Sequence, residues 1–131
     1  MSQTTTLILL PETTYTGTIP PAPAGPYDVT GNTQPAASYY LGNRDLQTVN
    51  LKLTGVTGNI MIDATLASTP TSVDWFNVYA LEANAAAPAN TASKLASDAS
   101  LYTNVEGNFV YIRAVIQDFK LGTVNFIKLS Y

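Results

Sequence analysis

The clearest alternation of apolar and polar positions runs from Leu46 to Leu66. Val49, Leu51 and Leu53 fall on one side of an extended chain, with Thr48, Asn50, Lys52 and Thr54 on the other. Beyond Gly58, Ile60, Ile62, Ala64 and Leu66 alternate with Asn59, Met61, Asp63 and Thr65. A period of two marks a strand with one face buried. Gly55-Val56-Thr57-Gly58 separates the two runs, and its composition predicts a hairpin turn. A second pair of runs, 107–118 and 123–131, flanks Phe119-Lys120-Leu121-Gly122 and predicts a second hairpin. In it Val110, Ile112, Ala114 and Ile116 make an apolar row. Val49, Leu51, Ile60, Ile62, Val110, Ile112 and Ile116 are therefore expected to share one core.

The opposite row, Phe109, Tyr111, Arg113 and Val115, is too apolar for plain exposure to water and is a candidate interface. Arg113 within it has Asp63 and Asp118 as candidate ion-pair partners and Tyr111 as a candidate stacking surface. Near the N-terminus, residues 4–10 read TTTLILL and end at Pro11, as expected of a short edge strand, and residues 14–19 offer a second. Leu7, Ile8, Leu9 and Leu10 place apolar side chains on both faces of that strand, so they are candidate contacts to another chain, by strand addition or by draping over a neighbour. Residues 20–35, PPAPAGPYDVTGNTQP, predict an extended polyproline-like spacer rather than a strand.

Residues 67–72 read as a loop and Val73–Glu82 as a strand. Trp75, Asn77, Tyr79 and Leu81 are expected on one of its faces, and Phe76, Val78 and Ala80 on the other. The Ala-, Asn- and Ser-rich stretch 83–100 lacks a wide apolar stripe and reads as a long surface loop. The predicted fold class is all-β: an antiparallel β-sandwich or jelly roll of about eight short strands with an extended Pro-rich N-terminal arm. It divides into a strand and arm over 1–37 and a β-sandwich domain over 38–131.

Composition narrows the function. Of the 131 residues 46% are hydrophobic and only 11% charged, against roughly 25% charged in ordinary soluble domains, so Thr, Asn, Ser and Gln must supply the polar surface. A formal net charge of −3, with six Lys and Arg scattered singly, provides no basic patch for a run of phosphates or an anionic membrane. Neither nucleic acid nor membrane is an expected partner. No basic, apolar leader opens the chain, so export through a signal peptide is not expected.

The sequence contains neither His nor Cys. Ser-His-Asp and Cys-His catalysis and His- or Cys-ligated zinc are thereby excluded, and no phosphate-cradling loop is present. Carboxylates remain: Asp63, Asp74, Glu82, Asp98, Glu106 and Asp118. No spacing singles out a catalytic pair, and such acids are ordinarily solvated. Asp28 with Asn32, or Asp98 with Asn104 and Glu106, offers oxygen ligands without the spacing of a calcium loop. The expectation is a protein without enzymatic activity, metal or cofactor. The alternative is a glycan-binding module using Asp74, Trp75, Asn77 and Tyr79, since aromatic faces stack on pyranose rings; burial of these aromatics in the core is the stronger expectation.

Three stretches carry a resemblance. The series Gln34-Pro35-Ala36-Ala37-Ser38-Tyr39-Tyr40-Leu41-Gly42-Asn43, then Ala64-Thr65-Leu66-Ala67 through Asp74-Trp75-Phe76, and finally Gly107-Asn108-Phe109-Val110-Tyr111-Ile112-Arg113-Ala114 with the terminal Leu129-Ser130-Tyr131, resembles small virion structural proteins of tailed bacteriophages. The likeness spans residues 34–131. It implies a β-sandwich module that decorates or cements a capsid or tail through protein–protein contacts, located in the virion, with other virion proteins and copies of itself as partners. On the alternative reading the module sits on a fibre and binds glycan.

Overall fold

A computed structural model describes residues 6–16, 27–38, 45–83, 94–95 and 98–131. The protein is all-β, as the alternation predicts. Its strands are β1 (Thr6–Leu10), β2 (Thr13–Thr14), β3 (Tyr27–Thr30), β4 (Gln34–Pro35), β5 (Leu46–Thr65), β6 (Phe76–Ala83), β7 (Lys94–Leu95), β8 (Asp98–Glu106) and β9 (Tyr111–Ser130). All belong to one hydrogen-bonded sheet, antiparallel except where β7 joins β6 in parallel.

Two strands of 20 residues, β5 and β9, run side by side through the whole sheet, from Thr48 opposite Ser130 to Thr65 opposite Tyr111. The free side of β9 takes β1, β2, β3 and β4 in turn. The free side of β5 takes β8 along residues 46–54 and β6 along residues 58–64. Neither expected hairpin forms. The stretches 55–58 and 119–122 lie inside β5 and β9, where they bend the strands without reversing them.

Burial shows how. On β5 the inward positions are odd-numbered from Gln47 to Leu53 and even-numbered from Val56 to Ala64. A single unpaired residue shifts the phase, so the same face stays inward on both sides of the bend. Gly55 supplies it with φ 65°, and the facing strand answers with Asp118 at 54° and Gly122 at 90°. The β5–β9 register slips at the same level. The inward rows of both halves then merge into one apolar cluster, which includes Val49, Leu51, Ile60, Ile62, Ile112 and Ile116, each at 0% exposure. Six of the seven expected core residues are thus buried; Val110 is half-buried, because it precedes β9 and the alternation does not reach it. Truncating Ile62 to Ala should cost about 2–5 kcal/mol in chemical denaturation, the range for removing a buried aliphatic side chain.

β1 and β2 add to the free edge of β9 in the same chain. A bulge between Ile8 and Leu10 breaks the alternation, so the consecutive Leu9 and Leu10 are both buried in the chain's own core. These two leucines, expected to meet a partner, are core residues. Leu7 packs partly against the same core, and Ile8 remains 36% exposed. Within the Pro-rich stretch, residues 27–30 and 34–35 form β3 and β4 rather than a spacer, because pairing on one side only tolerates the missing proline amide. Residues 17–26, 39–44, 84–93 and 96–97, including the 20–26 part of the expected spacer and most of the expected surface loop, fall outside the described residues; the described remainder of that loop is strand, at the end of β6, in β7 and at the start of β8.

Candidate interaction surface

Beyond the bend, the outer face of the sheet is built on the register of three strands. Asp63 on β5 stands opposite Arg113 on β9 and Asn77 on β6. Of the partners expected for Arg113, which are Asp63 or Asp118 for an ion pair and Tyr111 for stacking, the structure supplies Asp63. Its Nε lies 3.9 Å from Asp63 Oδ2, and its guanidinium carbon sits 4.2 Å from the centre of the Trp75 ring. The stacking partner is Trp75 rather than Tyr111. Arg113 Nε is buried and makes no hydrogen bond, so the ion pair is a loose one beside the stacking contact.

A bulge in β6 decides where the four glycan-binding candidates go. Ile62 pairs with Tyr79 and Asp63 with Asn77, which leaves Val78 as the extra residue. Asn77 therefore lies on the outer face while Tyr79 turns towards the core, where burial pushes its phenol above its ordinary pKa. The Asn77 amide nitrogen donates to Tyr79 O at 2.9 Å, Ile62 O at 3.2 Å and Asp63 Oδ1 at 3.3 Å, so its donors are spent on holding the bulge. Asp74 Oδ2 accepts from the Thr71 amide and hydroxyl at 2.7 and 3.0 Å, closing the turn that precedes β6. Of the four, only Trp75 and Asn77 share a face, and one face of the indole is taken by Arg113.

The candidate interface row is likewise split. Tyr111, Arg113 and Val115 are half-buried on the outer face of β9. Phe109 is at 9% exposure and belongs to the core, because residues 107–109 precede the strand; its ring meets Phe76 edge-on with centroids 5.8 Å apart.

Sequence alternation misses the most exposed apolar group near this face. The connection between β5 and β6 carries Leu66 at 66% and Val73 at 87% exposure, and Phe76 follows at 40%. Leu66 and Val73 are exposed at this end of the sheet, and Phe76, opposite the buried Ala64 and edge-on to Phe109, lies on the inner face at the same end, so the three form an apolar tip there. The alternation predicts strand at Leu66 and Val73, whereas both lie in the connection between Thr65 and Phe76.

The oxygen-ligand sets do not assemble into cation sites. Asp28 Oδ1 accepts the Asp118 amide at 3.0 Å, and Asn32 Nδ2 donates to Ile8 O at 3.4 Å. Asp98, Asn104 and Glu106 are spread along one extended strand, where a six-residue step spans about 20 Å. Among the described residues no three Asp or Glu side chains converge. Nor, among those residues, is any helix long and apolar enough to cross a membrane. The chain matches no family model, no curated protein and no solved structure.

Proposed function

We propose that this protein is a non-enzymatic structural component of a tailed-phage virion, which decorates or cements the capsid or tail by packing against other protein chains. The observation that carries the packing role is the tip: Leu66, Val73 and Phe76 leave three large apolar side chains exposed at one end of the sheet, and Val73 at 87% is the most exposed of the large apolar residues described. The half-buried row of Tyr111, Arg113 and Val115 lies on the outer face of β9 and begins at the same end, where Tyr111 stands opposite Thr65. Placement in a virion, with other virion proteins and further copies of the chain as partners, rests on the resemblance of the segments around Gln34–Asn43, Ala64–Phe76 and Gly107–Ala114. A glycan-binding role would require Trp75 to offer a sugar the face now stacked on Arg113, or the opposite one without help from Tyr79.

The test is a variant carrying Leu66→Lys and Val73→Lys. Both positions are exposed, so the thermal midpoint should stay close to that of the parent. Incorporation into particles assembled with the variant should fall at least tenfold, read by quantitative immunoblot of purified particles. Incorporation equal to the parent would overturn the reading.

A further inference from the structure

We infer that β8 is a self-pairing edge through which two copies of this chain join their sheets antiparallel about a two-fold axis. The face proposed above lies on the other half of the sheet, so the two surfaces can fail separately. Along Leu46–Thr54 the β5–β8 register runs without a slip, from Glu106 to Asp98, so β8 is a regular strand of nine residues. Among the described residues it pairs with β5 alone. Exposed edges in monomeric sheets are ordinarily blunted by a central charge, a proline or a bulge. β8, with the sequence DASLYTNVE, has none of these between its acidic ends.

Other edges of the sheet are managed. At β1 the chain caps itself, since the Asn32 amide donates to Leu9 O at 2.7 Å and Gln34 Nε2 to Ile8 O at 2.9 Å. The β6 edge is bulged at Val78 and takes β7 at Glu82 and Ala83. The β8 edge instead carries Tyr102 at its centre with 69% exposure.

The occupant follows from the side chains that self-pairing would bring together. Antiparallel registers that keep each face on its own side pair residues of equal parity. Centring the axis on Tyr102 would set Asp98 against Glu106 at both ends, two like-charge pairs. Centring it on Leu101 gives a single Leu–Leu pair on the core side. With Thr103 at the axis, Leu101 of each copy meets Val105 of the other, Tyr102 meets Asn104, and Thr103 meets itself. That register alone yields two aliphatic pairs and no acidic clash, and cross-strand pairs of this kind are what stabilise a sheet. The inward positions Leu101 and Val105 already pack at or within the core, so the joined sheets would share a continuous apolar layer.

The absence of native cysteine makes the register readable by single substitutions. The full chain should sediment as a concentration-dependent dimer. Thr103→Cys should give a disulfide-linked dimer on mild oxidation, whereas Tyr102→Cys and Leu101→Cys should not, because each would face a different residue. The double variant Tyr102→Lys with Asn104→Lys sets lysines opposite one another at exposed positions and should weaken the dimer at least tenfold. A monomeric parent at high concentration, cross-linking at 101 or 102 in place of 103, or a dimer unaffected by the paired lysines would each overturn the proposal. Should the lysine variant fail to fold by circular dichroism, parent sedimentation and the cysteine series decide it.

Discussion

Gly122→Ala is expected to lower stability by at least about 3 kcal/mol, a large part of the roughly 5–15 kcal/mol that holds an ordinary domain folded. Two constraints meet at this residue. Its φ of 90° is a backbone region that side chains rarely adopt. A Cβ there would also run into the Gly55 carbonyl and come within 2.7 Å of Thr54 O. Relief of either contact requires β5 and β9 to separate at the level where both bend. Gly55→Ala should cost much less, because a Cβ on Gly55 meets nothing within 4 Å and only its φ of 65° opposes the change. Urea denaturation of the two variants checks both the size and the order. Equal effects would mean that the glycines contribute only conformational freedom and that the close approach of the two strands is unimportant.

Gln47→Leu should cost about 3 kcal/mol although it places a hydrophobic residue in a fully buried site. Gln47 is at 0% exposure and shares the inward row with Val49, Leu51 and Leu53. Its Oε1 accepts the Ala37 amide at 3.0 Å, while its Nε2 donates to Val105 O at 2.8 Å and Asp45 O at 3.1 Å. One side chain thereby ties β5 to β8 and to the segment that follows β4. Leucine would leave the Ala37 N–H and the side-chain-facing lone pair of Val105 O without a partner inside the core. Desolvation of such groups outweighs the gain from an added apolar side chain. Thermal unfolding at neutral pH measures the loss. A Leu variant as stable as the parent would show that water or backbone movement satisfies the freed groups.

Gln47 also illustrates what the sequence makes legible. The period of two placed the inward row correctly up to Ala64, but the reading of that row passed over Gln47, which stands in phase with Val49, Leu51 and Leu53 and is buried with them. The same period could not report the shifts of phase that shape the sheet. Gly55–Gly58 and Phe119–Gly122 were recognised as breaks, but a bulge and a hairpin use the same residues. What separates them is whether the two flanking runs find each other or a common third strand. Here β5 and β9 find each other along their full length, a contact between residues far apart in the chain. Val78 makes the point at the surface. One unpaired residue sends Asn77 outward and Tyr79 inward, and so divides a glycan-binding quartet that alternation had placed largely on one face. Arg113 was matched to Asp63 by charge, but its stacking on Trp75 depended on β6 lying beside β5, which strand order alone could reveal. The prolines of residues 20–35 argued against strands in general; edge positions beside β9 were the exception they permit.

The proposal that the chain acts by burying its tip against another protein is tested most directly by electron cryomicroscopy of intact particles at side-chain resolution. The account predicts density for this chain on the capsid or tail, with Leu66, Val73 and Phe76 enclosed by a neighbouring subunit. Density in which these residues face solvent, or particles that lack the chain altogether, would contradict it.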